Sequence, residues 1–267
     1  VRRLGSYESK NSTSQNARLS WIRLLQDIGQ QPSFVTDSSL ADRLLRDRPR
    51  CVVLPATLAL SDRAILALNI YVRNGGLLLA DHSAAIYDRR LQRRESGGLD
   101  ELFGIRQRSL GWQSLLVREG KSTSRERGLP VAEMSLRGQT SRQEVGSDTF
   151  IERTVGAGHT CYLNSPVAAY NQWRLDPKMV GPARELRRRV RAALRRSRIA
   201  PLCEVMGKGL PTCIERMRLQ LRDGRKVLVV RVNALSDPKL LRQLSKGGPV
   251  PIEITLPRSL WREAAAR

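Results

Sequence analysis

A chain of 267 residues, 40% of them hydrophobic, has room for one large domain or two smaller ones and is too apolar for a disordered polymer. No apolar run approaches the roughly 20 residues of a membrane-spanning helix, no secretory segment is evident, and the four cysteines contain no CxxC pair and fit no zinc pattern. The net charge is +22, carried by 40 arginines and only 7 lysines, which points either to a polyanionic partner or to G+C-rich coding, and the spread of arginine along the whole chain favours the second.

Val1–Leu4 reads as the end of a strand and Gly5–Ser9 as the loop after it. Ala17, Trp21, Leu24, Leu25 and Ile28 recur at helical spacing, predicting a helix from about Ser12 that Gly29 stops. Pro32–Thr36 is read as a short strand and Ser39–Asp47 as a short helix with Leu40, Leu44 and Leu45 inward. The most informative stretch is Cys51–His82. Cys51-Val52-Val53-Leu54 is a strand, and Ser61 caps a helix that buries Ala64, Ile65, Leu68 and Val72. Gly75-Gly76 ends that helix, and Leu77-Leu78-Leu79-Ala80 is a second strand. This is one βαβ unit of a parallel α/β sheet.

Ser83–Gly98 is polar and Arg-rich, and a short helix ends at Gly104. Leu110–Arg118, Pro130–Leu136 and Phe150–Thr154 are read as strands, and Gly156-Ala157-Gly158 turns the chain into a buried strand ending near Asn164. Pro177–Ser197 is a basic helix with an apolar stripe of Leu186, Val190, Ala193 and Leu194. After Pro201 the composition shifts. Glu215–Leu221, Lys226–Val232 and Pro251–Leu256 are read as strands, with Arg222-Asp223-Gly224-Arg225 as a hairpin turn. The expected organisation is an α/β domain over residues 1–200 and a partial or small β-rich domain over 201–267. Because Val rather than Met opens the chain, a fragment or a processed form is expected.

Two groups of side chains are candidates for binding. Open α/β sheets place ligands at the carboxyl ends of their strands, so Tyr7, Glu8, Ser9, Asp81, His82 and Asp88 are candidates to line one cleft and hold a sugar or small polar ligand. The alternative for Asp81 and Ser9 is that they satisfy nearby loop and helix N-terminal amides. On the basic helix, Arg187, Arg188, Arg191 and Arg195 are either a solvated face or a phosphate-binding surface for nucleic acid. His82 and His159 are too few for a metal site without carboxylate help. Trp112, Trp173 and Trp261 are candidates for sugar stacking or for core packing. Cys51 and Cys161 lie in strand-like runs and read as reduced thiols, and a Cys203–Cys213 bridge is open only in an extracellular setting.

The order of these segments carries a resemblance. The helix holding Trp21, then Val52-Val53-Leu54-Pro55, then Tyr71-Val72-Arg73-Asn74-Gly75-Gly76 with Leu79-Ala80-Asp81, then Leu99–Ile105 and Gly158–Asn164, resembles the β-galactosidase trimerisation domain. That domain is a flavodoxin-like relative of the class I glutamine amidotransferases, found in glycoside hydrolases and in bacterial relatives. The resemblance covers about residues 5–200. It implies a flavodoxin-like parallel sheet with helices on both faces and a bacterial source; the compartment stays open, with the cytoplasm favoured over export. It also implies a homo-oligomer, a trimer or dimer, or contact with a glycosidase catalytic domain, with carbohydrate as the associated substrate class. No cofactor and no metal are implied.

The departures from that pattern bear on chemistry. Amidotransferases carry a nucleophilic cysteine after the strand that follows the Gly-Gly pair, whereas this chain has Ala80-Asp81-His82-Ser83 there. Ser83 beside His82 is a poor dyad, because adjacent side chains at a strand end diverge, and the G-x-S-x-G elbow is absent. Glycosidase carboxylates of the resembled enzymes sit on a barrel of about 250 residues, which this chain does not encode. Any glycosidase active site is therefore expected outside these residues.

Overall fold

The structure, a computed structural model, describes residues 13–81, 83–107, 134–136, 150–163, 167–206, 214–232, 242, 245–246 and 252–257. These residues group into two compact units, one containing Phe34–Ala168 and the other joining Leu19–Ser33 to the chain from Ala169 onward.

The first unit is built on a mostly parallel sheet of four strands. β1 (Cys51–Leu54) and β2 (Leu77–Ala80) run parallel with Cys51 opposite Leu77. β6 (Gly158–Leu163) continues the parallel set with His159 opposite Leu77, and β5 (Phe150–Val155) closes the edge antiparallel to it. The order across the sheet is thus β1-β2-β6-β5. Every residue of β2 is buried, as a central strand covered on both faces requires. The helices follow from their caps and stripes. α2 (Asp37–Asp47) starts on an acid that favours the helix dipole and buries Leu40, Ala41 and Leu44. In α3 (Asp62–Arg73) the Ser61 hydroxyl accepts from the Ala64 amide at 3.3 Å, and Ala64, Leu68 and Val72 face inward. These side chains join Val52, Leu54, Leu78, Phe103 and Tyr162 in one core cluster. The short α4 (Asp100–Phe103) ends at Gly104 in the left-handed region and leads into β3 (Ile105–Gln107), which pairs antiparallel with β4 (Met134–Leu136).

In the second unit the part of α1 (Thr13–Asp27) from Leu19 onward contributes buried Trp21, Leu24 and Leu25. α5 (Tyr170–Trp173) and a 3₁₀ turn over Pro177–Met179 precede the basic α6 (Val180–Arg196). Small antiparallel pairs follow. β7 (Glu204–Met206) pairs with β10 (Glu253–Thr255), and β8 (Ile214–Gln220) with β9 (Lys226–Val232) around the Asp223-Gly224 turn. The α/β class with a β-rich C-terminal part is thus as the pattern implied.

Pro32–Thr36 is not a strand. It has no ladder partner, Phe34 is 70% exposed, and Thr36 instead takes the N-cap position of α2 with extended φ and ψ. Two adjacent apolar residues without a neighbouring strand do not form a sheet on their own. The strand and loop expected over Val1–Ser9 and the strand expected over Leu110–Arg118 lie outside the described residues.

The β5–β6 turn depends on glycine. A Cβ at Gly158 would run into the backbone carbonyls of Val72 and Gly76, where the end of α3 meets the start of β2. Two main-chain bonds seal this approach, Ala157 N to Arg73 O at 3.0 Å and His159 N to Gly76 O at 3.1 Å. Since the obstructing atoms are backbone, a methyl group cannot be accommodated by a rotamer change. Gly158→Ala is expected to cost about 1–3 kcal/mol or more, the range for overpacking, read as a lower urea midpoint with an unchanged slope.

Candidate functional site

The carboxyl edge of the sheet is where β1, β2 and β6 end side by side, with Leu54, Ala80 and Tyr162 in register. The first side chain past β2 is Asp81, which has 0% exposure. One of its oxygens accepts a short hydrogen bond from the Ala56 amide in the loop after β1. The other accepts from the Val167 amide at 3.4 Å, in the segment after β6. The carboxylate therefore ties two loops to the end of the central strand. Of the two roles open to Asp81, stapling loop amides is the one these bonds perform.

A second buried network packs beside it. The Tyr162 hydroxyl accepts from the Ser83 amide at 2.9 Å and donates to Gln107 Oε1 at 3.2 Å. Gln107 Nε2 donates to Ala84 O at 2.9 Å and to Asp100 Oδ1 at 2.8 Å, while Asp100 Oδ2 accepts from the Gly97 and Gln107 amides at 3.0 and 2.9 Å. Burial, with the charges of Asp81 and Asp100 adding to it, pushes the Tyr162 phenol up, so it stays neutral and serves as a hydrogen-bonding strut. Ala56, Ser83 and Ala85 adopt φ of +39, +65 and +57°. Such conformations cost of order 1 kcal/mol each or more, and here the surrounding bonds hold them.

Of the other candidates on this edge, Asp88 is the one among the described residues. Asp88 Oδ1 accepts from the Arg90 and Gln92 amides at 2.8 Å each, which closes a local turn. It is engaged by a different backbone segment from the ones that hold Asp81. Tyr7, Glu8, Ser9 and His82 lie outside the described residues, as do Trp112, Trp261 and Cys213. Among the described residues no group of three or more His, Cys, Asp or Glu side chains could hold a metal ion. Cys51, Cys161 and Cys203 are reduced thiols, and desolvation pushes that of Cys51 up to about 12, which makes it a packing residue rather than a nucleophile.

The arginines of α6 do not share one environment. Arg188 and Arg189 both bind Glu185, at 2.7 to 2.8 Å, and hold its carboxyl down to about 2. That exposed trio therefore stays ionised through the whole ordinary carboxylate range and is lost only as pH falls through about 2. Arg195 faces Glu204 at 3.9 Å. Arg187 is no part of a solvated face. It is 5% exposed, donates from Nη1 to the Tyr170 hydroxyl at 3.0 Å and lies over that ring at 5.9 Å, while Leu186 is only half-buried. A guanidinium thus occupies the stripe position expected of an aliphatic side chain.

Arg187 belongs to a buried polar network whose centre the apolar patterning does not flag. Arg174 binds Asp27 through Nε at 2.8 Å and Nη2 at 2.6 Å, a bidentate pair with side chains 3% and 0% exposed. The Tyr170 hydroxyl donates to Asp27 Oδ2 at 2.6 Å, and Glu215 on β8 accepts from Arg174 at 3.2 Å and Arg23 at 3.0 Å. Two signals for Asp27 are nonetheless in the sequence. It lies on the same helical stripe as Ser20 and Leu24, and an acid in the last turn of a helix opposes the dipole unless a cation answers it.

Removing one partner leaves a buried charge alone. Arg174→Met is expected to destabilise the protein by about 3–5 kcal/mol, and the double variant Asp27→Leu/Arg174→Met by clearly less than the sum of the two single changes. Urea unfolding of the three variants measures this. Asp81→Ala leaves the buried Val167 amide and the half-buried Ala56 amide without their acceptor and is expected to cost about 1–3 kcal/mol, against about 1 kcal/mol or less for Asp88→Ala. Equal losses at the two positions would contradict a stapling role for Asp81 and a merely local one for Asp88.

Comparison with known proteins comes from structure alone, since no protein-family model and no curated protein matches this chain. Gan42B, a GH42 β-galactosidase from G. stearothermophilus, superposes with a TM-score of 0.51 at 11% identity, over 94% of this chain and 37% of its own. The β-galactosidase from Bacillus circulans sp. alkalophilus gives 0.51 at 12% identity, over 86% and 38%. That of the Antarctic haloarchaeon Halorubrum lacusprofundi gives 0.50 at 14%, over 93% and 36%. The chain spans little more than a third of the length of these enzymes, and it has the fold of that part of a GH42 β-galactosidase.

Proposed function

We propose that this chain is a non-catalytic domain associated with a β-galactosidase-like glycoside hydrolase, an amidotransferase-like scaffold that builds subunit contacts. The observation that carries this reading is the match of nearly the whole chain to a part of the GH42 β-galactosidases. The carboxyl edge supports the non-catalytic half of it. Glycoside hydrolysis uses two carboxyl groups about 5–9.5 Å apart across the scissile bond, whereas Asp81 engages its oxygens with the Ala56 and Val167 amides. An acyl-transfer mechanism needs an activated nucleophile with an oriented base, and Cys51 is held protonated. In this reading the scaffold forms a trimer or dimer, and the bond-breaking carboxylates belong to a separate catalytic domain.

Two measurements test the proposal together. Light scattering on a sizing column is expected to give one discrete trimer or dimer at both about 0.15 M and about 0.5 M salt, because a packed apolar interface survives screening. The same preparation is expected to release no chromophore from a nitrophenyl β-galactoside. A strict monomer at both salts removes the scaffold role, and turnover by the chain alone removes the non-catalytic one.

A further inference from the structure

The second unit contains a small basic cavity that the scaffold role does not use. Its volume is about 170 Å³, and Arg191 and Arg195 of α6, Arg216 of β8, Glu204 of β7 and Cys203 are among the residues lining it. Three guanidinium groups thus meet one carboxylate, and that carboxylate reaches Arg195 only at 3.9 Å with both side chains more than half exposed.

Arg216 is the unusual member. It is 7% exposed and anchored through Nη1 to the carbonyls of Asp27 and Ile214 at 3.3 and 3.0 Å. Its Nε is buried and has no hydrogen-bond partner among the described residues. Arg187, one turn before Arg191, likewise has a buried Nη2 without a partner among the described residues. A buried donor left unmade costs about 1–3 kcal/mol, and more when it is charged. Burial lowers the pKa of Arg191, and the charges of Arg195, Arg216 and Arg187 lower it further, the mark of cations gathered without enough counter-charge. Cys203 is no thiolate counter-ion. Its burial pushes the thiol up against the opposing pull of Arg216, so it forms a neutral wall.

We propose that this cavity binds a single phosphate group, either as the free ion or as the terminal group of a small ester. Guanidinium forks match the oxygen geometry of phosphate. The size sets the scale of the ligand. At about 30 Å³ per water, the cavity holds a handful of waters or one oxyanion with its shell, well short of the roughly 300 Å³ or more of pockets for whole cofactors. The proposal is independent of the association with a glycosidase.

The test uses the intact chain and thermal unfolding. Inorganic phosphate is expected to raise the midpoint in a saturable way that sodium chloride at equal ionic strength does not reproduce. The double variant Arg191→Gln/Arg195→Gln, changed at solvent-reachable positions so that folding is preserved, is expected to lose that rise while keeping its midpoint in chloride. Arg188→Gln, whose partner is Glu185, is expected to keep it. Calorimetry with inorganic phosphate and with phenyl phosphate then separates the two sources, since tighter binding of the ester by tenfold or more assigns an ester and equal binding assigns the free ion. Equal rises in phosphate and chloride, an undiminished rise in the double variant, acetate matching phosphate, or duplex DNA that binds without competition from phosphate would each overturn the proposal.

Discussion

The first unit is organised around a strand with no exposed side chain. Leu77–Ala80 sits between β1 and β6 and is buried at every position, so both faces of the sheet must be covered and the chain leaving the strand starts inside the protein. Asp81 is the direct consequence. A carboxylate emerging there has no water to solvate it, and the amides of Ala56 and Val167 take that role. Three residues near the same edge have positive φ, and their amides go to three different acceptors, Ala56 to Asp81, Ser83 to the Tyr162 hydroxyl and Ala85 to the Thr57 carbonyl. At the edge where many α/β proteins bind ligands, the Asp81 carboxylate is engaged by the chain's own amides.

The second unit solves the equivalent problem with ions. Asp27 and Arg174 bring charge into a buried position, and Tyr170, Arg187, Glu215 and Arg23 complete the coordination from α1, α5, α6 and β8. A bidentate pair fixes direction as well as distance, so it sets how the helices meet the ribbon in a way that interchangeable aliphatic contacts would not. Buried pairs of this kind are weak as sources of stability and stronger as sources of geometric definition.

What can be read from the sequence tracks how local the signal is. The β1–α3–β2 unit is legible because apolar spacing, the Ser61 cap and the Gly75-Gly76 stop agree within one stretch of chain. The β8–β9 ribbon is legible through its Asp-Gly turn. The three-residue strands β3 and β7 are not, since their existence depends on distant partners rather than on their own composition. Pro32–Thr36 fails in the opposite direction, having strand-like residues and no partner. At the candidate sites, Asp81 stands out by position, with its structural alternative in view, but the receiving amides of Ala56 and Val167 carry no side-chain signature. Arg187 misleads because a charge on a helix is ordinarily solvated. Its burial depends on Tyr170, seventeen residues away in the chain.

The ionic core of the second unit also has a thermal meaning. Hydration of charged groups carries a strongly negative entropy, so the penalty for keeping Asp27 and Arg174 dry falls as temperature rises. The apolar burial around Leu77–Ala80 acts instead through heat capacity, and its driving force fades on cooling. Two halves of one chain therefore respond to warming through different physical quantities, one through the release of water from ions and the other through the ordering of water around hydrocarbon.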